Sequence, residues 1–202
     1  MPNWTCNTIT IEGSKDSLNK FIADAVECNP ESRDKEDKPQ YSLSSWIPTP
    51  ETFRKWDTTN HPDGQGLKVG DKWYDGLGDH NQLVTEELIE EFKKATEEQR
   101  EKYGVVGWYD YNRKTFGCKW DSEVFIDAVT DTEIRLSTDT PWSAPENWLR
   151  TISAKYPDLT FHLHAEYEEG FWEDLDFKEG RKAEIGNGEL TYTDEDEEER
   201  YV

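Results

Sequence analysis

The sequence predicts an α+β fold: a split βαβ antiparallel sheet with a large helical and loop insertion and an acidic C-terminal extension. Three observations predict it. Strand-like runs at 3–12, 123–129, 133–138 and 159–167 are separated by stretches with helical apolar spacing. Charge is uneven: residues 165–202 hold 15 acids and 4 bases, so 15 − 4 leaves −11 of the chain's −22. Nine tryptophans stand in a chain that is only 33% hydrophobic, whereas a wholly disordered acidic chain would be aromatic-poor.

Residues 3–12 are Thr- and Ile-rich and stop at Gly13, as a strand does. Ser14 caps a helix expected near 15–27, with Leu18, Phe21, Ile22, Ala25 and Val26 on one face. Residues 31–40 form a charged linker, and 41–47 read as a short strand stopped by Pro48 and Pro50. Residues 60–81 contain five glycines without apolar periodicity and read as a long loop. Thr85 opens an amphipathic helix in which Leu88, Phe92, Ala95 and Gln99 form a narrow stripe, ended by Gly104. A second helix is expected at 106–116, ended by Gly117.

Residues 123–129 set Val124, Ile126 and Ala128 on one face, and Thr130-Asp131-Thr132 turns the chain into a strand at 133–138. Ser143-Ala144-Pro145-Glu146 fits a capping box for a helix near 144–156 that groups Trp148, Leu149, Ile152 and Tyr156. In 159–167, Leu159, Phe161, Leu163, Ala165 and Tyr167 alternate with Thr160, His162, His164 and Glu166. Residues 171–177 and 181–185 are expected to form a hairpin around Glu179-Gly180. With 41–121 set aside, the order is strand, helix, strand, strand, helix, strand. That is the ferredoxin-like arrangement, with both helices on one sheet face. The expected domains are 1–40 with 122–186, an insertion at 41–121 and a disordered acidic tail at 187–202. Ile9, Ile11, Leu18, Phe21, Ile22, Val124, Ile126, Leu149, Ile152, Phe161 and Leu163 are the expected core.

The totals exclude several classes. Three cysteines, at 6, 28 and 118, make no CxxC pair and no disulfide framework. The N-terminus has no basic region followed by an apolar run, and no stretch approaches a membrane span. A bacterial cytoplasmic location is expected. No Gly-rich stretch ends in the Lys-Ser/Thr of a phosphate loop, and no Ser sits in a G-x-S-x-G elbow. No cofactor is expected. A charge of −22 opposes direct binding of nucleic acid.

Three constellations remain. His162 and His164 share a strand face, so both imidazoles could reach one metal with Glu166 as a third ligand; a polar outer sheet face is the plainer reading. Asp71, Asp75 and Asp79 are oxygen-rich but spaced by four, which suits a surface loop better than a calcium loop. Cys6 reads as a small packed residue. The third constellation is the acids themselves: Glu166, Glu168, Glu169, Glu173, Asp174, Asp176, Glu179 and Glu184 in expected folded segments, then Asp194, Glu195, Asp196, Glu197, Glu198 and Glu199 in the tail. Acids fixed on strands can imitate spaced phosphates, because the rise per strand residue is close to the roughly 3.4 Å axial spacing of duplex phosphates on one strand.

A further pattern is ordered along the chain. It runs from the N-terminal strand at 1–13 through Ile47-Pro48-Thr49-Pro50 and Trp108-Tyr109-Asp110-Tyr111 to Phe116-Gly117-Cys118-Lys119-Trp120-Asp121 and Thr140-Pro141-Trp142-Ser143-Ala144-Pro145. This set resembles the YubB-like proteins of bacteriophages and plasmids. Phe116 stands where that family usually has Trp, and Cys118 where it has Thr. The resemblance implies a ferredoxin-like domain and a mobile-element origin, and no activity. The expected function is therefore a non-catalytic acidic interaction protein. It would bind a basic host protein that handles nucleic acid and block its nucleic-acid site as a DNA mimic, an anti-defence inhibitor. The alternatives are a metal-dependent enzyme or metal-binding domain built on His162 and His164, and a structural accessory protein.

Overall fold

The computed structural model describes residues 3–27, 39–55, 67–69, 72–74 and 86–190. In chain order the elements are β1 (Trp4–Glu12), α1 (Lys15–Ala23), β2 (Tyr41–Ser42), a 3-10 turn (Leu43–Ser45), α2 (Glu51–Lys55), β3 (Leu67–Val69), β4 (Lys72–Tyr74), α3 (Glu86–Tyr103), α4 (Trp108–Thr115), β5 (Glu123–Val129), β6 (Glu133–Pro141), α5 (Glu146–Lys155), β7 (Thr160–Tyr167), β8 (Phe171–Lys178) and β9 (Arg181–Glu189). They fall into two compact units, 1–47 with 116–202, and 48–115.

The first unit is built on a seven-stranded antiparallel sheet of order β2-β5-β6-β1-β7-β8-β9. Its four central strands, with α1 and α5, carry the ferredoxin-like connectivity. β1 lies in the middle because its neighbours on both sides arrive from later in the chain: β6 pairs along all of it, and β7 from Thr5 to Glu12. Period-2 alternation sends Ile9 and Ile11 of β1, Ile134 and Leu136 of β6, and Phe161 and Leu163 of β7 to one side, all buried. Both helices cover that side. Phe21 of α1 meets Phe161 and Tyr156 edge-on at 5.9 and 5.3 Å, and Trp148, Leu149 and Ile152 of α5 join the same core.

The expected C-terminal hairpin forms and widens the sheet, adding Leu175 and Phe177 to the core. Its two turn residues, Glu179 (φ 50°) and Gly180 (φ 77°), are both left-handed, the geometry of a tight hairpin turn whose twist suits the flanking strands.

Five local expectations are corrected. Residues 41–47 are not a plain strand. Two residues pair with β5, and the turn that follows buries Leu43 and Trp46 in the sheet core. The indole of Trp46 donates to Phe21 O at 2.9 Å, and that of Trp148 donates to Leu43 O at 2.9 Å. Helix α1 stops at Ala23, so Val26 is exposed rather than on its apolar face. Ile22 and Ile126 are half-buried. A bulge between Ile126 and Ala128 breaks the alternation of β5 and exposes Ala128. At α5 the capping box does not form. Ser143 Oγ donates instead to Gly117 O at 2.8 Å, and Phe116 O accepts from Trp148 N at 3.3 Å.

The last contact explains Gly117. Its φ is 91°, and a Cβ there would lie 3.2–3.3 Å from backbone atoms of Ala144, Glu146 and Asn147. Gly117→Ala is expected to cost at least the roughly 1–2 kcal/mol of a left-handed alanine, measurable by urea unfolding. A loss near zero would show that the helix start can move aside.

In the second unit, Phe53 stacks on Tyr111 at 4.3 Å and meets Tyr103 edge-on at 5.2 Å. Gln99 is fully buried and satisfied: its amide nitrogen donates to Thr52 O at 2.8 Å and its oxygen accepts from Gly107 N at 2.9 Å. Residues 60–81 are not loop throughout, because β3 and β4 pair antiparallel within them. Asp71, Asp75, Asp79, Cys28 and residues 191–202, including Asp194, Glu195, Asp196, Glu197, Glu198 and Glu199, lie outside the described residues. No helix among the described residues is long and apolar enough to cross a membrane.

Candidate functional site: the open sheet face

The unit's own helices pack on one sheet face and leave the other open. Strand register places its residues in rows. One row runs Asp139, Cys6, Glu166, Trp172 and Gly188 across β6, β1, β7, β8 and β9. The next runs Phe125, Ser137, Thr8, His164, Asp174 and Gly186, starting from β5. A third runs Arg135, Thr10, His162, Asp176 and Ala183. Glu12 follows Thr10 on β1, and Trp4 precedes Cys6 and packs on Trp120 at 5.8 Å.

Each histidine stands between two carboxylates from different strand positions. His162 Nδ1 is 2.7 Å from Asp176 Oδ1, and its Nε2 is 3.4 Å from Glu12 Oε2. That Nε2 atom is buried and makes no hydrogen bond, so Glu12 acts on it by charge alone. His164 Nδ1 is 2.6 Å from Asp174 Oδ1, and its Nε2 is 3.4 Å from Glu166 Oε1. Burial lowers the His164 pKa, but the bonds and charges of Asp174 and Glu166 outweigh it and hold the imidazole above its ordinary value.

The histidines thus share a face, as β7 alternation predicts, but each is committed through Nδ1 to its own aspartate. Among the described residues no group of three or more His, Cys, Asp or Glu side chains is placed to hold a metal ion. Cys6 is exposed on this face rather than packed, because it alternates with buried Thr5 and Asn7. Asp139 and Glu166 flank it in register. Cys118 is buried; desolvation, then the charge of Asp121, push its thiol up to about 12.

The expected partner-binding acids divide into groups. Glu166, Asp174 and Asp176 belong to the open face. Glu173 alternates to the core side, where Tyr167 OH donates to it. Burial, then that bond, raises the Tyr167 pKa. Glu168 and Glu169 serve the strand ends: Glu168 accepts from Trp4 N at 2.7 Å and Glu169 from Asn3 Nδ2 at 2.6 Å. Glu179 is in the turn, and Glu184 accepts from Asn187 Nδ2. Glu173, Asp174 and Asp176 are therefore not one surface. Same-face acids on a strand lie about 6.6–6.8 Å apart, matching every second duplex phosphate along the axis rather than each one.

Register adds residues to the face that sequence reading left out. Glu12 and Asp139 become neighbours of the histidine rows only because β1 is inserted between β6 and β7, and Asp127 joins through a bond from Ser137 Oγ at 3.0 Å. Trp172 lies against β9: a Cβ on Gly188 would be 2.9 Å from its indole nitrogen. The central strands β1 and β6 carry no aromatic side chain in the middle of the open face, unlike sheet modules that stack RNA bases.

The fold and the family comparison define the same class, a ferredoxin-like domain. Residues 115–202 match the family model described as the ferredoxin-like domain in Api92-like protein. Among solved structures the chain is similar to a protein api92 from Yersinia pseudotuberculosis, at 11% identity and a TM-score of 0.40, covering 96% of this chain and 99% of that one. A comparison with curated proteins gives no match.

Proposed function

We propose that this protein is a non-catalytic, acidic interaction protein of a mobile element. It binds a basic, nucleic-acid-handling protein of a bacterial host and occupies the surface which that protein uses for nucleic acid. One observation carries the reading: Glu12, Glu166, Asp174 and Asp176 are held by strand register on the sheet face that the helices leave open. Fixed carboxylates cost a partner little ordering on binding, unlike acids on a mobile segment. The chain's −22 charge raises encounter rates with basic surfaces and repels phosphate. The mobile-element origin rests on the sequence resemblance alone.

The test is competition. A basic host protein captured at low salt and released at high salt is purified and titrated with its duplex DNA in the presence of this protein. Mutual exclusion, relieved by adding either competitor, is the expected result. A ternary complex would sink the mimic reading while leaving a salt-dependent interaction. Retention that ignores salt would sink both.

A further inference from the structure

We propose that His164, held between Asp174 and Glu166, is a proton-controlled group that sets the charge of the open sheet face near neutral pH and tightens the link between β7 and β8 when protonated. The argument is one of donors and acceptors. A carboxylate cannot donate, so the short contacts to Asp176 and Asp174 place a hydrogen on each Nδ1. In a neutral ring the other nitrogen is then a lone pair, and it faces Glu12 in one case and Glu166 in the other. That arrangement is repulsive. At His164, adding a proton to Nε2 turns the repulsion by Glu166 into an ion pair, so that position favours imidazolium.

The charge consequence is direct. Asp174 and Glu166 carry −2; with the His164 imidazolium the three groups carry −2 + 1 = −1. The cationic positions on the surrounding strands are Arg135 on β6, one strand beyond Thr10, Lys178 with Arg181 at the β8–β9 end, and Lys182 on β9, which is paired with Glu146 at 2.8 Å. Arg135 is held at 3.4 Å by Glu133. β9 presents only Ala183 and Gly186 opposite the two aspartates. Nothing cationic is therefore fixed closer to the imidazoles than their own four carboxylates.

Because the folded His164 pKa is raised, its stabilising effect is complete below the unfolded value of about 6.5 and fades as pH rises through the folded value. For a basic partner the effect runs the other way: affinity rises as His164 loses its proton, a consequence that rests on the function proposed above.

The test uses the isolated full chain. Imidazole nitrogen chemical shifts are followed by NMR from about pH 5 to pH 9, and melting is compared for wild type and His164→Gln. The expected His164 midpoint lies above the ordinary imidazole value of about 6.5 and falls towards it in Glu166→Gln with Asp174→Asn. Wild type should melt roughly 2–4 °C above His164→Gln at about pH 5.5, with the gap closing by about pH 8.5. A midpoint at or below the ordinary value, or a melting gap that does not change with pH, would overturn the proposal. Either result would leave the partner reading untouched, since no partner is present.

Discussion

Replacing Phe161 by alanine is expected to destabilise the sheet unit by about 3–5 kcal/mol, the range for a large aromatic removed from a packed core. Phe161 is completely buried on β7, meets Phe21 of α1 edge-on, and lies among residues from both helices and the central strands. No neighbour can close the gap without moving, because Phe21 is itself fixed between Trp46 and Tyr156 at 5.0 and 5.3 Å. Urea unfolding measures the effect as a lower midpoint at unchanged slope. A loss under about 1 kcal/mol would mean that the side chain is not packed, and the facing of the whole of β7 would be inverted, histidines included.

Asp174→Lys with Asp176→Lys is expected to weaken binding of the basic partner by roughly 100-fold, about 2.7 kcal/mol. The change replaces two carboxylates of β8 on the open face with ammonium groups that repel both the partner and the His164 imidazolium. It should also lower stability at acid pH, where the His164 imidazole is charged, more than at alkaline pH. Glu173→Lys is the informative contrast. It immediately precedes Asp174 in sequence but lies on the other side of the strand against Tyr167, so it should cost stability and leave most of the affinity. If Glu173→Lys reduced affinity as much as the aspartate pair, total charge rather than the face would control binding.

Much of the fold was legible because it rests on local signals. The β7 alternation placed Phe161 and Leu163 inward and both histidines outward, as found. Glu179-Gly180 marked the hairpin, and Ser14 marked the start of α1, where its oxygen accepts from Ser17 N. The misses come from contacts distant in sequence. Leu43 and Trp46 lie in a stretch that reads as a short strand, but indole bonds between residues 25 and 105 positions apart tie them into the core. Ser143 was read as a cap, but Gly117, 26 residues earlier, takes its hydroxyl. Helix α1 ends early where Asp24 accepts from Tyr156 OH, 132 residues on, at 2.9 Å.

The β3–β4 pair has a local signal in the sequence: Leu67-Lys68-Val69 and Lys72-Trp73-Tyr74 flank Gly70-Asp71, a dipeptide that favours two-residue hairpin connections. For the site, sequence named Glu166, Asp174, Asp176 and the two histidines. It could not pair them, because strand order decides which acids become neighbours. Glu12 and Glu166 lie 154 residues apart, yet both belong to the histidine pair.

The decisive comparison removes the same charge from two places. One variant converts Glu12 and Glu166 to Gln and Asp174 and Asp176 to Asn. The other converts four exposed acids of α3, Glu87, Glu91, Glu98 and Glu101, to Gln. Both lose four negative charges, and affinity for the captured basic partner is measured at one ionic strength by calorimetry. A binding surface on the open face predicts a loss of at least roughly tenfold for the first variant, about 1.4 kcal/mol, and little change for the second. Equal losses in the two variants would contradict it, and would reduce the acidity of this protein to a non-specific attraction.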